Sequence, residues 1–209
     1  DVKRFSNELN FDEKRKLKEK YGIKDNEKIL LFTGRITPEK GVKELVESLK
    51  NVSNQNYKLL ILGSALNELK TKTKYQEEIE NIVQTISSKV IFTGFIKYEE
   101  INKFYSIADI AVLPSIWDDP APLTVIESLI SGLPIITTNS GGIPEYATNG
   151  SAIIIERNKD LAENLSKNIN LLLNDEAKLK EMSTSAKKVS KDLTLNNYYN
   201  NFIDIMKKG

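Results

Sequence analysis

The chain contains neither cysteine nor histidine among its 209 residues. Without cysteine there is no disulfide framework, no thiolate metal site and no thiol nucleophile. Without histidine the commonest general base and metal ligand is gone as well. A Ser-His-Asp triad, a Cys-His dyad and an H-E-x-x-H metal site are therefore impossible. Any catalysis must draw on carboxylates, Lys, Arg, hydroxyls, backbone amides or the substrate itself. An excess of one charge is also missing, since 30 Lys+Arg against 29 Asp+Glu leave a net charge of +1. That balance argues against a nucleic-acid partner, which calls for a basic excess. No apolar run approaches the ~18 residues that a membrane-spanning helix needs. The opening Asp1-Val2-Lys3-Arg4 shows neither an initiator Met nor a signal-peptide pattern, as expected of an excised domain.

What is present is the make-up of a globular domain, 40% hydrophobic and 28% charged, with ample length for one sizeable core. Short apolar runs recur at Ile29-Leu30-Leu31-Phe32, Lys58-Leu59-Leu60-Ile61-Leu62, Val90-Ile91-Phe92, Ile110-Ala111-Val112-Leu113, Ile135-Ile136-Thr137 and Ala152-Ile153-Ile154-Ile155. They do not alternate with polar residues, which predicts strands buried on both faces of a parallel sheet. Between them, stretches such as Glu44 to Leu49 and Glu77 to Ile86 carry apolar residues at helical spacing. Repeated strand–helix alternation predicts a doubly wound, Rossmann-like α/β fold with helices on both faces of the sheet. From Asp160 onward the pattern is helical only, a C-terminal helical tail. No linker or repeat divides residues 1–209, so one domain is expected.

In such folds ligands bind beyond the carboxyl ends of the strands. The first of these loops reads Gly34-Arg35-Ile36-Thr37-Pro38-Glu39-Lys40-Gly41. Thr37 is placed as an N-cap and Pro38 as a first helical residue, predicting a helix that begins there. Lys40 then falls in the first turn, where the helix dipole disfavours a cation and a bound anion would reverse the sign. Arg35 is one of four arginines, with 4, 15 and 157, and its planar fork fits phosphate oxygens. A solvated loop with two ordinary surface cations explains the same residues. The G-K-[ST] ending of a Walker loop is absent.

The loop after the fourth strand runs Pro114-Ser115-Ile116-Trp117-Asp118-Asp119-Pro120-Ala121-Pro122-Leu123-Thr124-Val125-Ile126-Glu127. A helix opening near Pro122 would leave the amides of Leu123 and Thr124 free for an anion. Glu127 lies among Val125, Ile126, Leu129 and Ile130, so its carboxylate should be partly covered and in need of donors such as sugar hydroxyls. Asp119 can reach the same cleft. Alternatively, Asp118 or Asp119 is a helix cap and Glu127 pairs with a lysine; as a metal site the Asp pair lacks further ligands. Gly141-Gly142, after the fifth strand, permits positive φ and close backbone approach to a ligand, or a plain tight turn. Gly94-Phe95-Ile96 is a similar turn whose backbone could face a base. No G-x-G-x-x-G occurs, which removes the main support for a dinucleotide-dependent dehydrogenase.

Taken in order, these segments form a series: Phe32-Thr33-Gly34-Arg35 with Glu39-Lys40-Gly41; Leu60-Ile61-Leu62-Gly63; Phe92-Thr93-Gly94; Tyr105-Ser106-Ile107-Ala108-Asp109; Pro114-Ser115; Asp119 and Glu127 at E-x7-E spacing; Ser131-Gly132-Leu133-Pro134; and Gly141-Gly142-Ile143-Pro144-Glu145. The series resembles the C-terminal domain of family 4 glycosyltransferases, retaining enzymes of GT-B fold, over effectively the whole chain. The resemblance implies that Arg35 and Lys40 hold the diphosphate of a nucleotide sugar. It further implies that Asp119 contacts the donor sugar, Glu127 binds the ribose hydroxyls, backbone at Leu123 and Thr124 meets phosphate, and backbone at Ile96 meets the base. Gly141 and Gly142 belong to the same implied donor site.

UDP is the base expected from family habit, and metal-independent catalysis without a protein nucleophile is implied. The chain departs from the family at Asp119, usually Glu, and at Ala121-Pro122, usually Phe-Gly. Pro122 has no N–H to donate. An acceptor-binding N-terminal domain is expected as the partner, with the final Asn196 to Met206 helix resembling the one that crosses back to it. On this reading the chain alone binds donor and transfers little. A cytoplasmic location is expected for its parent, with contact at the membrane's inner face left open. A non-catalytic nucleotide- or phosphosugar-binding module, or a structural partner domain, on the same scaffold is the competing expectation.

Overall fold

The computed structural model describes residues 2–63 and 73–208. Six parallel strands form one sheet in the order β3-β2-β1-β4-β5-β6. They are β1 (Lys28–Thr33), β2 (Tyr57–Leu62), β3 (Val90–Gly94), β4 (Ile110–Leu113), β5 (Ile135–Thr138) and β6 (Ala152–Ile155). The sequence places all six. Residues Ile29, Leu30, Leu59, Leu60, Ile110, Val112, Ile135 and Ile136 are wholly buried, as a two-faced parallel core requires. The edge strands differ from the expectation of burial on both faces. In β3 Phe92, and in β6 Ile154, remain partly exposed, because a strand at the margin of a sheet has helices covering less of it.

The helices are α1 (Val2–Phe5), α2 (Phe11–Lys20), α3 (Val42–Ser48), α4 (Lys74–Gln84), α5 (Tyr98–Ile107), α6 (Leu123–Ile130), α7 (Ile143–Tyr146), α8 (Leu161–Asn174), α9 (Glu176–Val189) and α10 (Leu195–Lys208). Helix α3 packs against α4 and α8. A second group joins α2 to α5 and α6 to both α1 and α9. Their inward faces follow the sequence periodicity: Leu161, Leu165, Ile169, Leu172 and Leu173 are the buried apolar side of α8. At the amino end of the sheet Asp109 fixes the β1–β4 register. Its Oδ2 accepts from the Ile29 amide at 2.8 Å and its own amide donates to the Ile29 carbonyl at 2.9 Å.

Between β1 and β4 the strand order reverses direction, so the loops leaving their carboxyl ends part and leave a crevice. All the loops singled out in the sequence sit at this end of the sheet. One local expectation is corrected. Pro38–Lys40 is a single 3₁₀ turn, and α3 begins only at Val42. Gly41 interrupts the two with φ of +67°, and a side chain there would collide with the Pro114 carbonyl. Thr37 is the N-cap and Pro38 the first residue of that turn as expected, but left-handed Gly41 ends it, in a place against Pro114 that only glycine can occupy. Lys40 is left just ahead of the α3 N-terminus.

Candidate functional site

The crevice is built from three loops braced against one another. The Ile116 amide donates to the Glu39 carbonyl at 2.9 Å, tying the β4 loop to the β1 loop. Buried hydroxyls of Thr138 and Ser140 both bond the Ser115 carbonyl, the latter at 2.6 Å, tying the β5 loop to the β4 loop. Arg157, just beyond β6, pairs with Asp118 at 2.9 Å and donates to the Ile116 carbonyl at 3.1 Å. Sequence reasoning passed over Arg157, and its isolation among lysines was the only signal of it.

Asp119 is held by its backbone and its side chain. Its carbonyl accepts from the Gly142 amide at 2.9 Å, and its Oδ1 accepts from the Ala121 amide at 3.1 Å. Asp118 Oδ1 accepts from the Gly141 amide at 2.8 Å. The two glycines are required because their Cα atoms lie against the Asp118–Pro120 backbone, where added Cβ atoms would overlap Asp119 and Pro120. Gly141 and Gly142 thus shape the loop that carries Asp119. Neither Asp118 nor Asp119 caps α6; that position is Pro122. Helix α6 starts at Leu123 as the sequence predicts, leaving the amides of Leu123 and Thr124 without intrahelical acceptors.

Lys40 Nζ lies 3.7 Å from Asp119 Oδ2, across the mouth of the crevice. Lys40 also lines a small cavity, about 20 Å³, with Thr33, Ser115, Thr124 and Ile143. The diphosphate-binding candidates Lys40 and Thr124 are therefore brought together with Asp119. Arg35 stands exposed on the same β1 loop, close enough to Glu39 to help hold that carboxyl below its usual range, after hydrogen bonding to the Glu39 and Thr37 groups. A larger hollow of about 580 Å³ lies between α3 and α8, lined by Glu44, Glu47, Arg157 and Lys159 among others. It is open, and none of the predicted site residues lines it.

Glu127 is buried, 8% exposed. Its Oε1 accepts from the Tyr98 hydroxyl at 3.2 Å and its Oε2 from the Tyr105 hydroxyl at 3.0 Å. Burial pushes its carboxyl pKa up, and the two tyrosine hydrogen bonds oppose that shift by favouring the anion. The alternative pairing with a lysine is not seen among the described residues, and the expected need for hydroxyl donors is met here by tyrosines. Tyr98 follows Ile96 by two residues, so the β3 loop and Glu127 share one end of the crevice. Neither tyrosine was singled out for this role in the sequence, because the α5 pattern explains Tyr105 equally well as core. Among the described residues no group of three or more acidic, His or Cys side chains is placed to hold a metal ion.

Cations, a helix N-terminus and carboxylates thus meet at the switch point of a doubly wound sheet, the end at which such folds take their ligands and the kind of surroundings that suits an anion. Residues 13–189 match the family described as glycosyl transferases group 1, and the chain belongs to that family. An uncharacterized glycosyltransferase of Methanocaldococcus jannaschii is 30% identical over 144 residues, 68% of this chain and 35% of that protein. The chain spans well under half the length of such relatives, 35% and 42% in two of them. Among solved structures, Anabaena HepE in complex with UDP superposes on the whole chain and 56% of its own, with TM-score 0.85 at 18% identity. The C-terminal domain of a glycosyl transferase group 1 family protein, LpcC from Francisella tularensis, superposes with TM-score 0.75 at 21% identity, covering 91% of this chain and 96% of that one. These likenesses fix the fold as one half of the GT-B architecture.

Proposed function

We propose that this chain is the donor-binding half of a retaining glycosyltransferase of family 4, which moves a sugar from a nucleoside diphosphate, UDP by preference, to a glycan or lipid-linked acceptor. The observation that carries the reading is the meeting of Lys40, Asp119 and the free amides of α6 at the β1/β4 switch point. Arg35, Lys40 and the α6 N-terminus would neutralise the diphosphate as charge develops on it in the transition state. Asp119 would accept a hydrogen bond from the donor sugar, and Glu127 from the ribose hydroxyls. Backbone at Ile96 would border the base. With that cationic field in place, catalysis needs no divalent metal; transfer by the full-length parent should survive a chelator. Retention follows if the leaving phosphate oxygen takes the acceptor's proton while the acceptor oxygen bonds the anomeric carbon from the same face.

The acceptor-binding half lies outside this chain. Helix α10 exposes Leu195, Tyr198, Tyr199, Phe202, Ile205 and Met206 at helical spacing, an apolar face suited to cover by that half. The chain alone therefore binds donor without efficient transfer. Calorimetric titration with UDP, GDP, ADP and dTDP tests the reading. Selective binding of one diphosphate that is lost in Arg35→Ala supports it; equal binding by the variant removes the phosphate assignment.

A further inference from the structure

Glu127 is fixed before any ligand arrives, and its two anchors are unlike. Tyr105 is 1% exposed, its hydroxyl lies 2.8 Å from Thr33 Oγ1 on β1, and its ring meets Phe5 edge-on at 5.3 Å. Tyr98 opens α5, is 45% exposed, and its ring sits 6.0 Å from Phe5 with the Arg4 guanidinium 4.9 Å above it. A carboxylate offers about four lone-pair sites, so after both tyrosine bonds each oxygen keeps an acceptor site. A vicinal diol that donates two O–H groups to one carboxylate needs that carboxylate's plane held. A freely rotating glutamate side chain would lose conformational entropy on binding.

We propose that Tyr105 and Tyr98 are positioning residues for ribose recognition: Tyr105, back-bonded through Thr33 to β1, sets the plane of the Glu127 carboxylate, and Tyr98 steadies its second oxygen. This rests on the reading of Glu127 as the ribose ligand. The same two hydroxyls favour the anionic, acceptor form of Glu127 and so oppose the burial that raises its carboxyl pKa. The consequence is discrimination between ribo- and 2′-deoxyribonucleotides, separate from affinity for the diphosphate.

The test compares dissociation constants of UDP and 2′-deoxy-UDP, with GDP and its deoxy form alongside, for the wild-type chain and for Glu127→Gln, Tyr105→Phe, Tyr98→Phe and Thr33→Val. Wild type should prefer the ribonucleotide by about tenfold or more, the worth of a hydrogen bond to a charged group. Glu127→Gln should bring the preference close to unity. Tyr105→Phe should lower it several-fold while leaving 2′-deoxy-UDP affinity within about twofold, and Thr33→Val should move it the same way by less. A merely structural loss would weaken both nucleotides alike. Should Tyr105→Phe fail to fold, Tyr98→Phe and Thr33→Val carry the comparison. Tyrosine and threonine variants with the wild-type preference, beside a Glu127→Gln that loses it, overturn the proposal and leave Glu127 as the ribose ligand. A Glu127→Gln that keeps the preference, or a wild type that binds no nucleotide, overturns that underlying reading and the proposal with it.

Discussion

Lys40 and Asp119 face each other at 3.7 Å, and separating their roles takes a double-mutant cycle of Lys40→Met and Asp119→Asn. The distance is too long for a hydrogen bond, so the attraction is Coulombic, about 4 kcal/mol at an effective dielectric constant of 20. Both side chains keep roughly a quarter to a third of their surface in water, 25% and 32%, and hydration and rotamer entropy cut the net worth to about 0–1 kcal/mol. Removing Lys40 should therefore shift fold stability by less than about 1 kcal/mol. Against a diphosphate the same cation meets one or more full charges inside a crevice. Lys40→Met should weaken UDP by about 1–3 kcal/mol, roughly 5- to 150-fold.

Asp119→Asn keeps an oxygen for the Ala121 amide and removes the charge that competes with phosphate for Lys40. It should tighten UDP by up to about fivefold, the reciprocal of the surface-pair energy, while lowering transfer from a UDP-sugar by the full-length parent. In the double variant most of that gain should vanish, because no ammonium remains to be released. Calorimetry at low and high salt reads every corner of the cycle. Unchanged UDP affinity in Lys40→Met, or an Asp119→Asn that weakens UDP as much as Lys40→Met does, would refute the reasoning.

Gly142→Ala forces a Cβ into the Pro120 carbonyl; it should destabilise the fold by about 1–3 kcal/mol and raise the donor KM of the full-length parent by displacing Asp119, as thermal melts and kinetics would show. For Glu127→Gln the sign follows from a carboxyl pKa raised from 4.5 by burial. The folded state then binds the proton more tightly than the unfolded one, so wild-type stability falls as pH rises from about 4.5 through the raised value. The Gln variant should be the more stable at pH 7, and denaturant melts should show this advantage shrinking as pH drops toward about 4. Arg157→Met loses the Asp118 pair and the bond to the Ile116 carbonyl; stability should drop by about 1 kcal/mol or less, with a several-fold weaker UDP affinity from the loosened β4 loop.

Most of the architecture was legible in the chain itself. Six apolar runs of strand length separated by helical periodicity admit few arrangements other than a doubly wound sheet, because strands of that kind must be covered on both faces. The helix expected near Pro122 was legible from local stereochemistry and is in place. The same reasoning placed a helix start at Pro38, where the structure has a single 3₁₀ turn ended by left-handed Gly41; that only glycine fits there is a matter of its contact with Pro114, more than 70 residues away in sequence. The edge strands β3 and β6 carry runs as apolar as those of the central strands. Only the sheet order reveals that part of their surface faces water.

The candidate site divides the same way. Arg35, Lys40, Asp119 and Glu127 stand out by residue type and by position in loops that follow strands, because charge next to a helix start or within an apolar helix face is a local anomaly. What the chain alone determined was thus the fold class and the glycosyl transferases group 1 family. The tertiary structure decided who touches whom: that Lys40 reaches Asp119 across two loops, that Arg157 braces Asp118, that Gly141 and Gly142 press on the Asp118–Pro120 backbone, and that Tyr98 and Tyr105 clamp Glu127. Periodicity and propensity are read over windows of a few residues, whereas each of these contacts joins segments distant in sequence whose distances are set by strand order and helix packing.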